Sequence, residues 1–262
     1  MNFPHYKQEV LALTMRWVRR LSREKFSMLF TLVQPMLFWL IFFGSLFQQA
    51  AKMPLLENAP NYMSFLAGGV VVMTVLNNGL AGGVDLLFDK ENGFLERMMS
   101  TPIHRTSVIL SRYLFVMAIT SMQILVILGI AFLFGVEPVT KLPGIALILV
   151  IGMLFGIGLT AISMAMAFSV KSHGDFFSML GFLSLPMIFL SSALVPLSAM
   201  PGWMQALAFL NPMTWVIDAV RPLIITGWEA AIPQVALALI ILVIFDAICL
   251  YGGAKAFRRA IG

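Results

Sequence analysis

Six stretches of the chain stay apolar for the length of a bilayer-crossing helix, about 20 residues: 28–48, 62–86, 108–135, 143–170, 176–196 and 231–252. This pattern predicts an all-α integral membrane protein with six transmembrane helices. Ahead of the first, Val10, Leu11, Thr14, Trp17, Val18 and Leu21 recur at helical spacing, while Arg16, Arg19, Arg20 and Arg23 fill the other face. An N-terminal amphipathic interfacial helix follows from that spacing. It serves either as a membrane-surface anchor or as a lever touching a cytoplasmic partner.

The connections are uneven: 49–61, 136–142 and 171–175 are short, whereas 87–107 and 197–230 are long. In the first long one, Gly93 to Ser100 predicts a short helix with Phe94, Leu95, Met98 and Met99 apolar and Glu91, Glu96 and Arg97 charged. Thr101-Pro102 stops it. That helix lies on the bilayer or docks in a cleft of a partner. The segment 197–230 is too apolar for a solvated loop and too interrupted by Pro196, Pro201, Pro212 and Pro222 for a span. Asn211 is a good N-cap with Pro212 at the first helical position, so a helix from Pro212 to Arg221 is predicted. Asp218 and Arg221 are three apart and can pair on one face. Short re-entrant external helices before the last span fit this segment. Trp203 and Trp215 then belong to an interfacial belt capping the bundle or to an external gate.

Charge orients the spans. Of 17 Lys and Arg residues, all but Lys52, Lys141 and Arg221 fall on the side of the two termini. Cytoplasmic loops carry the excess of Lys and Arg, so both termini are expected in the cytoplasm. A chain that is 60% hydrophobic and 11% charged is no ordinary soluble domain, where about a quarter of residues are charged. The net charge of +5 comes from residues beside the spans, which suits lipid headgroups better than nucleic acid. Cys249 is the single cysteine, which excludes an intrachain disulfide and a multi-thiolate metal site.

Catalytic chemistry is sparse. No G-x-x-x-x-G-K-[ST] phosphate loop and no G-x-S-x-G occurs, and His5, His104 and His173 lack a second ligand at H-x-x-x-H spacing. No metal site is expected. Asp85 and Asp246 lie toward the cytoplasmic ends of their spans, and Asn77, Asn78 and Gln123 are the polar groups nearer the middle. An ion-coupled carrier needs ionisable groups near midplane, so that class loses support. Asn77 and Asn78 either hydrogen-bond helices together or line a substrate path. Gly79 with Gly83, and Gly152 with Gly156, predict close helix packing; Pro35 and Pro186 predict kinks that are architecture or hinges.

Glu91-x-Gly93-x-Leu95-Glu96 followed by Ser100-Thr101-Pro102, and Asn211-Pro212-Met213-Thr214-Trp215 with Asp218 and Arg221, stand in this order among six spans behind an amphipathic helix. In this the chain resembles type-2 ABC export permeases, particularly the antibiotic-resistance and lipid-export branch, over nearly its whole length. The resemblance implies one permease domain over 1–262: the interfacial helix at 1–27, the bundle at 28–252 and a cytoplasmic tail at 253–262. It implies a permease without an ATP site of its own, paired with a second permease chain as a homodimer and with two copies of a cytoplasmic ATP-binding subunit. ATP and Mg would be bound by that subunit. Glu91, Gly93, Phe94, Leu95, Glu96, Arg97, Ser100, Thr101 and Pro102 would form the coupling helix, with Arg16, Trp17, Arg20 and Arg23 of the interfacial helix beside it. Phe94 and Leu95 are the expected apolar anchors. Asn77, Asn78, Phe182, Pro186 and Phe189 are expected along the substrate path, and Asn211, Pro212, Trp215, Asp218 and Arg221 at the external gate. The expected cargo is a drug, antibiotic or lipid-like amphiphile exported across a bacterial plasma (inner) membrane. An ATP-independent channel or a membrane-assembly protein is the alternative.

Overall fold

A computed structural model describes residues 3–46, 62–101, 103–170 and 172–261, and every regular element among them is helical. The connection at 49–61 with Lys52, and the single residues Pro102 and Lys171, lie outside the described residues. In chain order the helices are α1 (Phe3–Arg23), α2 (Lys25–Gln34), a π-helical segment (Pro35–Phe43) running into α3 (Gly44–Leu46), α4 (Tyr62–Ala81), α5 (Val84–Glu91), α6 (Phe94–Met99), α7 (Arg105–Leu133), α8 (Lys141–Ser169), α9 (His173–Phe189), α10 (Gly202–Leu210), α11 (Pro212–Ile225) and α12 (Trp228–Ile261).

Four stretches are long and apolar enough to cross a membrane: Tyr62–Glu91, Thr106–Leu133, Lys141–Ser169 and Trp228–Phe257. Of the first expected span, 28–48, the described residues to Leu46 form α2, the π-helical segment and α3. Its π register begins at Pro35, whose missing N–H interrupts the regular ladder. The fifth expected span, 176–196, is a helix of 17 residues that ends at Phe189. Pro186 sits in its last turn, and the carbonyls of Met187 and Leu190 accept hydrogen bonds from Asn211 Nδ2, both at 2.7 Å.

The core forms around α4, which is apolar on all sides and buried along most of its length between α7, α8 and α11. A helix hydrophobic all round must be enclosed. Glycines set how closely its neighbours come. A Cβ on Gly69 would lie 2.3 Å from the Ala193 carbonyl oxygen, one on Gly79 2.6 Å from Leu159 Cβ, and one on Gly83 2.4 Å from the Ser163 carbonyl oxygen. On α8, Gly152 and Gly156 receive Ile124, Met117 and Val75. The chain turns at Gly82 and Gly83 before α5, so the expected continuous helix 62–86 is broken there. The break frees the Gly82 carbonyl, which the Arg112 Nε–H takes at 2.6 Å.

α1 packs on α7 through Thr14, Trp17 and Leu21, and Val10 is buried as well. Leu11, Met15 and Val18, on the rest of the apolar stripe, stay exposed.

Candidate functional site

The residues singled out by the sequence gather at two ends of the bundle. At the first, α1 crosses the junction of α5, α6 and α7. Arg16 Nη2 donates to both carboxylate oxygens of Asp89, at 2.8 and 2.9 Å, and Asp89 is itself 5% exposed. The Arg16 guanidinium also lies 4.1 Å from the centre of the Phe94 ring, an arrangement favoured by the ring quadrupole. α1 and α6 are thereby tied through one side chain. Arg112 of α7 pairs with Asp85 of α5 at 2.7 Å and stacks over Trp17 at 4.8 Å and Phe115 at 5.2 Å. Arg20 stands among Asp85, Asp89 and Glu24 at 3.6 to 4.0 Å, which is beyond hydrogen-bond range. Arg23 is exposed with no acidic partner among the described residues.

α6 is positioned by Gly93, whose φ of +64° starts the helix from a left-handed turn that favours glycine. Leu95 and Met98 point inward and join Leu86, Val108, Met164 and Phe168 in a small apolar cluster. Leu95 is therefore committed to the chain's own core. Glu96, Arg97, Ser100 and Thr101 are exposed, and Glu96 has no partner among the described residues. Arg97 donates back to the Gly93 carbonyl at 3.3 Å, while Ser100 and Thr101 donate to the carbonyls of Arg97 and Met98. Glu91 pairs with His173 at the start of α9. Pro102 lies outside the described residues.

Two side chains that sequence reasoning did not single out complete this end. Lys90 Nζ reaches the Ala167, Phe168 and Val170 carbonyls at 3.2 to 3.4 Å, capping the C-terminus of α8 where a cation is favoured. Glu9 accepts from Ser107 Oγ at 2.9 Å and from the His104 N–H at 3.1 Å, at the start of α7. Desolvation raises the Glu9 pKa, but these hydrogen bonds and the nearby His104 ring outweigh it and hold the carboxyl below the usual carboxylate range. Neither role shows in periodicity, because each joins residues more than 70 positions apart.

At the second end, Asn211 caps α11 by accepting from the Met213 N–H at 3.0 Å, and Pro212 follows at the first helical position. α11 is buried against α4, α8 and α12. Asp218 and Arg221, whose spacing permits a direct pair, do not form one. They meet through Ser192: its hydroxyl donates to Asp218 at 3.0 Å, and Arg221 donates to its carbonyl at 2.7 Å. Arg221 is drawn toward α4, where it lies 3.7 Å from the Phe65 ring centre. Trp215 Nε1 donates to the Phe209 carbonyl at 2.9 Å, holding α10 against α11. Thr140 donates to the Leu223 carbonyl at 2.6 Å and fastens the far end of α11.

The residues expected along a substrate path divide. Asn78 is bonded to Thr120 and Gln123 of α7, so it joins helices. Asn77 on α4, and Phe182, Pro186 and Phe189 on α9, are exposed on the chain's own surface.

Residues 8–225 match the family described as ABC-2 type transporter. The chain belongs to that family. Curated relatives agree. A putative transport permease, ycf38, of Pyropia yezoensis is 34% identical over 219 residues, spanning 82% of this chain and 73% of the relative. The ycf38 permease of Cyanophora paradoxa is 35% identical over the same shares. A probable doxorubicin resistance ABC transporter permease, DrrC, of Mycobacterium tuberculosis is 25% identical over 81% of this chain and 75% of its own length. The chain is thus an ABC-2 permease, the membrane subunit of a transporter, and a multi-pass membrane protein.

Proposed function

We infer that this ABC-2 permease carries a hydrophobic or amphiphilic cargo out of the cytoplasm or the inner leaflet of a bacterial plasma membrane, driven by ATP hydrolysis on separate subunits. In this reading the chain crosses the membrane six times, with α2 to α3 and α9 completing the set. The α6 end faces the cytoplasm, as the excess of Lys and Arg there requires, and both termini lie on that side. Two copies of this chain form the translocation unit, each with one ATP-binding subunit that holds ATP and Mg. The exposed faces of α9 and α4, with Phe182, Phe189 and Asn77, then look toward the partner chain and border the path. The cap of α10 and α11 closes it on the outside.

The single observation that carries the reading is the tie between α6 and α1. A short helix offers Glu96, Arg97, Ser100 and Thr101 outward, while its inward face and the Arg16 bridge connect it to α5, α7 and α8. Force applied to the exposed face reaches the long helices through buried contacts. The relatives named for doxorubicin resistance favour an amphiphilic cargo.

The test is co-purification of an ATP-binding subunit with the tagged chain in mild detergent. Glu96→Arg and Arg97→Glu change the exposed face and leave the Leu95 cluster intact; they should release the subunit and its ATPase activity. A chain that never retains an ATPase, or variants that retain it fully, would overturn the coupling role.

A further inference from the structure

Between α1, the α4–α5 junction and α7 lies a cavity of about 270 Å³. Its lining is graded. Along α4 and α5 the wall runs Asn78, Ala81, Val84, Asp85; along α7 it runs Ile119, Val116, Phe115, Arg112; Trp17, Arg20, Leu21 and Glu24 of α1 and its end close it. Charged groups therefore sit at one extremity, and a slot of Ala81, Val116 and Ile119, ended by the Asn78 amide that is bonded to Thr120 and Gln123, lies at the other. The chain passes at Glu24 from amphipathic α1 into apolar α2, so in the proposed topology the charged extremity lies where an interfacial helix meets the first span, at the depth of lipid headgroups.

The charge balance selects the ligand. Arg16, Arg19, Arg20, Arg23 and Arg112 surround the charged extremity and a second recess beside it, against Glu24, Asp85 and Asp89. The rim is two charges positive. Arg20 has only loose ion contacts at 3.6 to 4.0 Å. Arg112 engages the Gly82 carbonyl and Asp85, and a guanidinium carries five N–H donors. Both are suited to a tetrahedral oxyanion, which arginine recognises through paired N–H groups. The size suits a headgroup and the beginning of one chain, since pockets for whole drug-sized molecules start at about 300 Å³.

We propose that this cavity binds one anionic phospholipid of the inner leaflet, its phosphate at Arg20 and Arg112 and the start of one acyl chain in the slot between α4 and α7. A lipid seated there contacts the helix that carries Arg16 and the helix that carries Asp85, so its presence stabilises α1 in its docked position. The proposal rests on the cytoplasmic placement of α1, but it does not depend on the ATP-binding subunit.

The experiment is native mass spectrometry of the full-length chain in mild detergent, titrated separately with phosphatidylglycerol, phosphatidylcholine and inorganic phosphate. One phosphatidylglycerol per chain should be retained at concentrations where phosphatidylcholine is not. Arg20→Gln should weaken retention roughly fivefold, the worth of one arginine beside an anionic headgroup. Ala81→Trp, on an exposed position of the slot wall, should abolish retention with an unchanged unfolding midpoint; Ile119→Trp is the second blocking variant if the first fails to fold. Equal retention of the two lipids, undiminished binding in the blocking variants, or displacement of the lipid by inorganic phosphate alone would overturn the proposal. A wild-type chain that retains the lipid but never an ATPase would count against the coupling role only.

Discussion

At the α6 end, helices distant in sequence are joined by charge: Arg16 with Asp89, Arg112 with Asp85, and Arg20 loosely among three carboxylates. At the α11 end the joints are hydrogen bonds to backbone carbonyls, from Asn211, Arg221 and Thr140, around a helix buried on most of its surface. Arg112 and Asp89 are 4% and 5% exposed, so breaking either pair leaves a buried charge, just as a buried carbonyl left unpaired costs its full desolvation; Arg20, with 40% of its side chain exposed, is the charge that changes partners at small net cost. The first end thus combines fixed, buried charge pairs with one arginine that can change partners, while the joints of the second are fixed hydrogen bonds. That asymmetry suits the proposed function, in which motion would enter through α6 and the α10–α11 cap would close the far side.

The largest effect is expected from Arg112→Ala, which leaves the Asp85 carboxylate and the Gly82 carbonyl without their partner. Removing one member of such a pair costs about 3 kcal/mol, read as a lower thermal midpoint in detergent. An unchanged midpoint would mean that the ionic end contributes nothing and that apolar packing alone holds it. At the opposite end, Asn211→Ala removes an N-cap and the donor to two carbonyls of α9, for about 2 kcal/mol. If the cap is the rigid partner, hydrogen exchange should rise in both α9 and α11; a rise confined to α11 would break the comparison.

Gly93→Ala places a side chain in a left-handed turn with open space around it, so only the backbone term of about 1 kcal/mol is lost. Proteolysis at the α5–α6 turn should increase while the α11 end is untouched. The smallest effect concerns Glu9. Its carboxyl is held below its unfolded value, so its contribution to α1 docking is fully present above the ordinary carboxylate range and disappears as pH falls through the lowered value. Acidification should release α1 from α7, reported by Trp17 fluorescence, and Glu9→Gln should remove that step.

Much of this arrangement is legible in the chain. The turn at Gly93, the stop after Met99, and the Asn211-Pro212 start of α11 are local instructions, because caps and glycine turns act over a few residues. The close approaches at Gly79, Gly83, Gly152 and Gly156 follow from spacing as well. Leu95 illustrates the limit. Apolar periodicity marks it for burial, yet cannot say whether the burying surface belongs to a partner or to Leu86, Val108 and Phe168 of the same chain. Asp218 and Arg221 show the same limit, since a three-residue spacing permits a pair that Ser192, 26 positions from Asp218, pre-empts.

By itself the sequence determined that this is a helical membrane protein and where local signals start a helix, as at Gly93 and at Asn211-Pro212, since hydropathy and caps act locally or additively; the orientation that its basic residues imply belongs to the proposed function. Only the tertiary structure decided which half of the α1 stripe meets α7, which carboxylate each arginine takes, and that Asn78 binds helices together while Asn77 remains outside. Those outcomes depend on which of several equally eligible partners arrives within a few ångströms, and residues 70 to 100 positions apart carry no local signal of that choice.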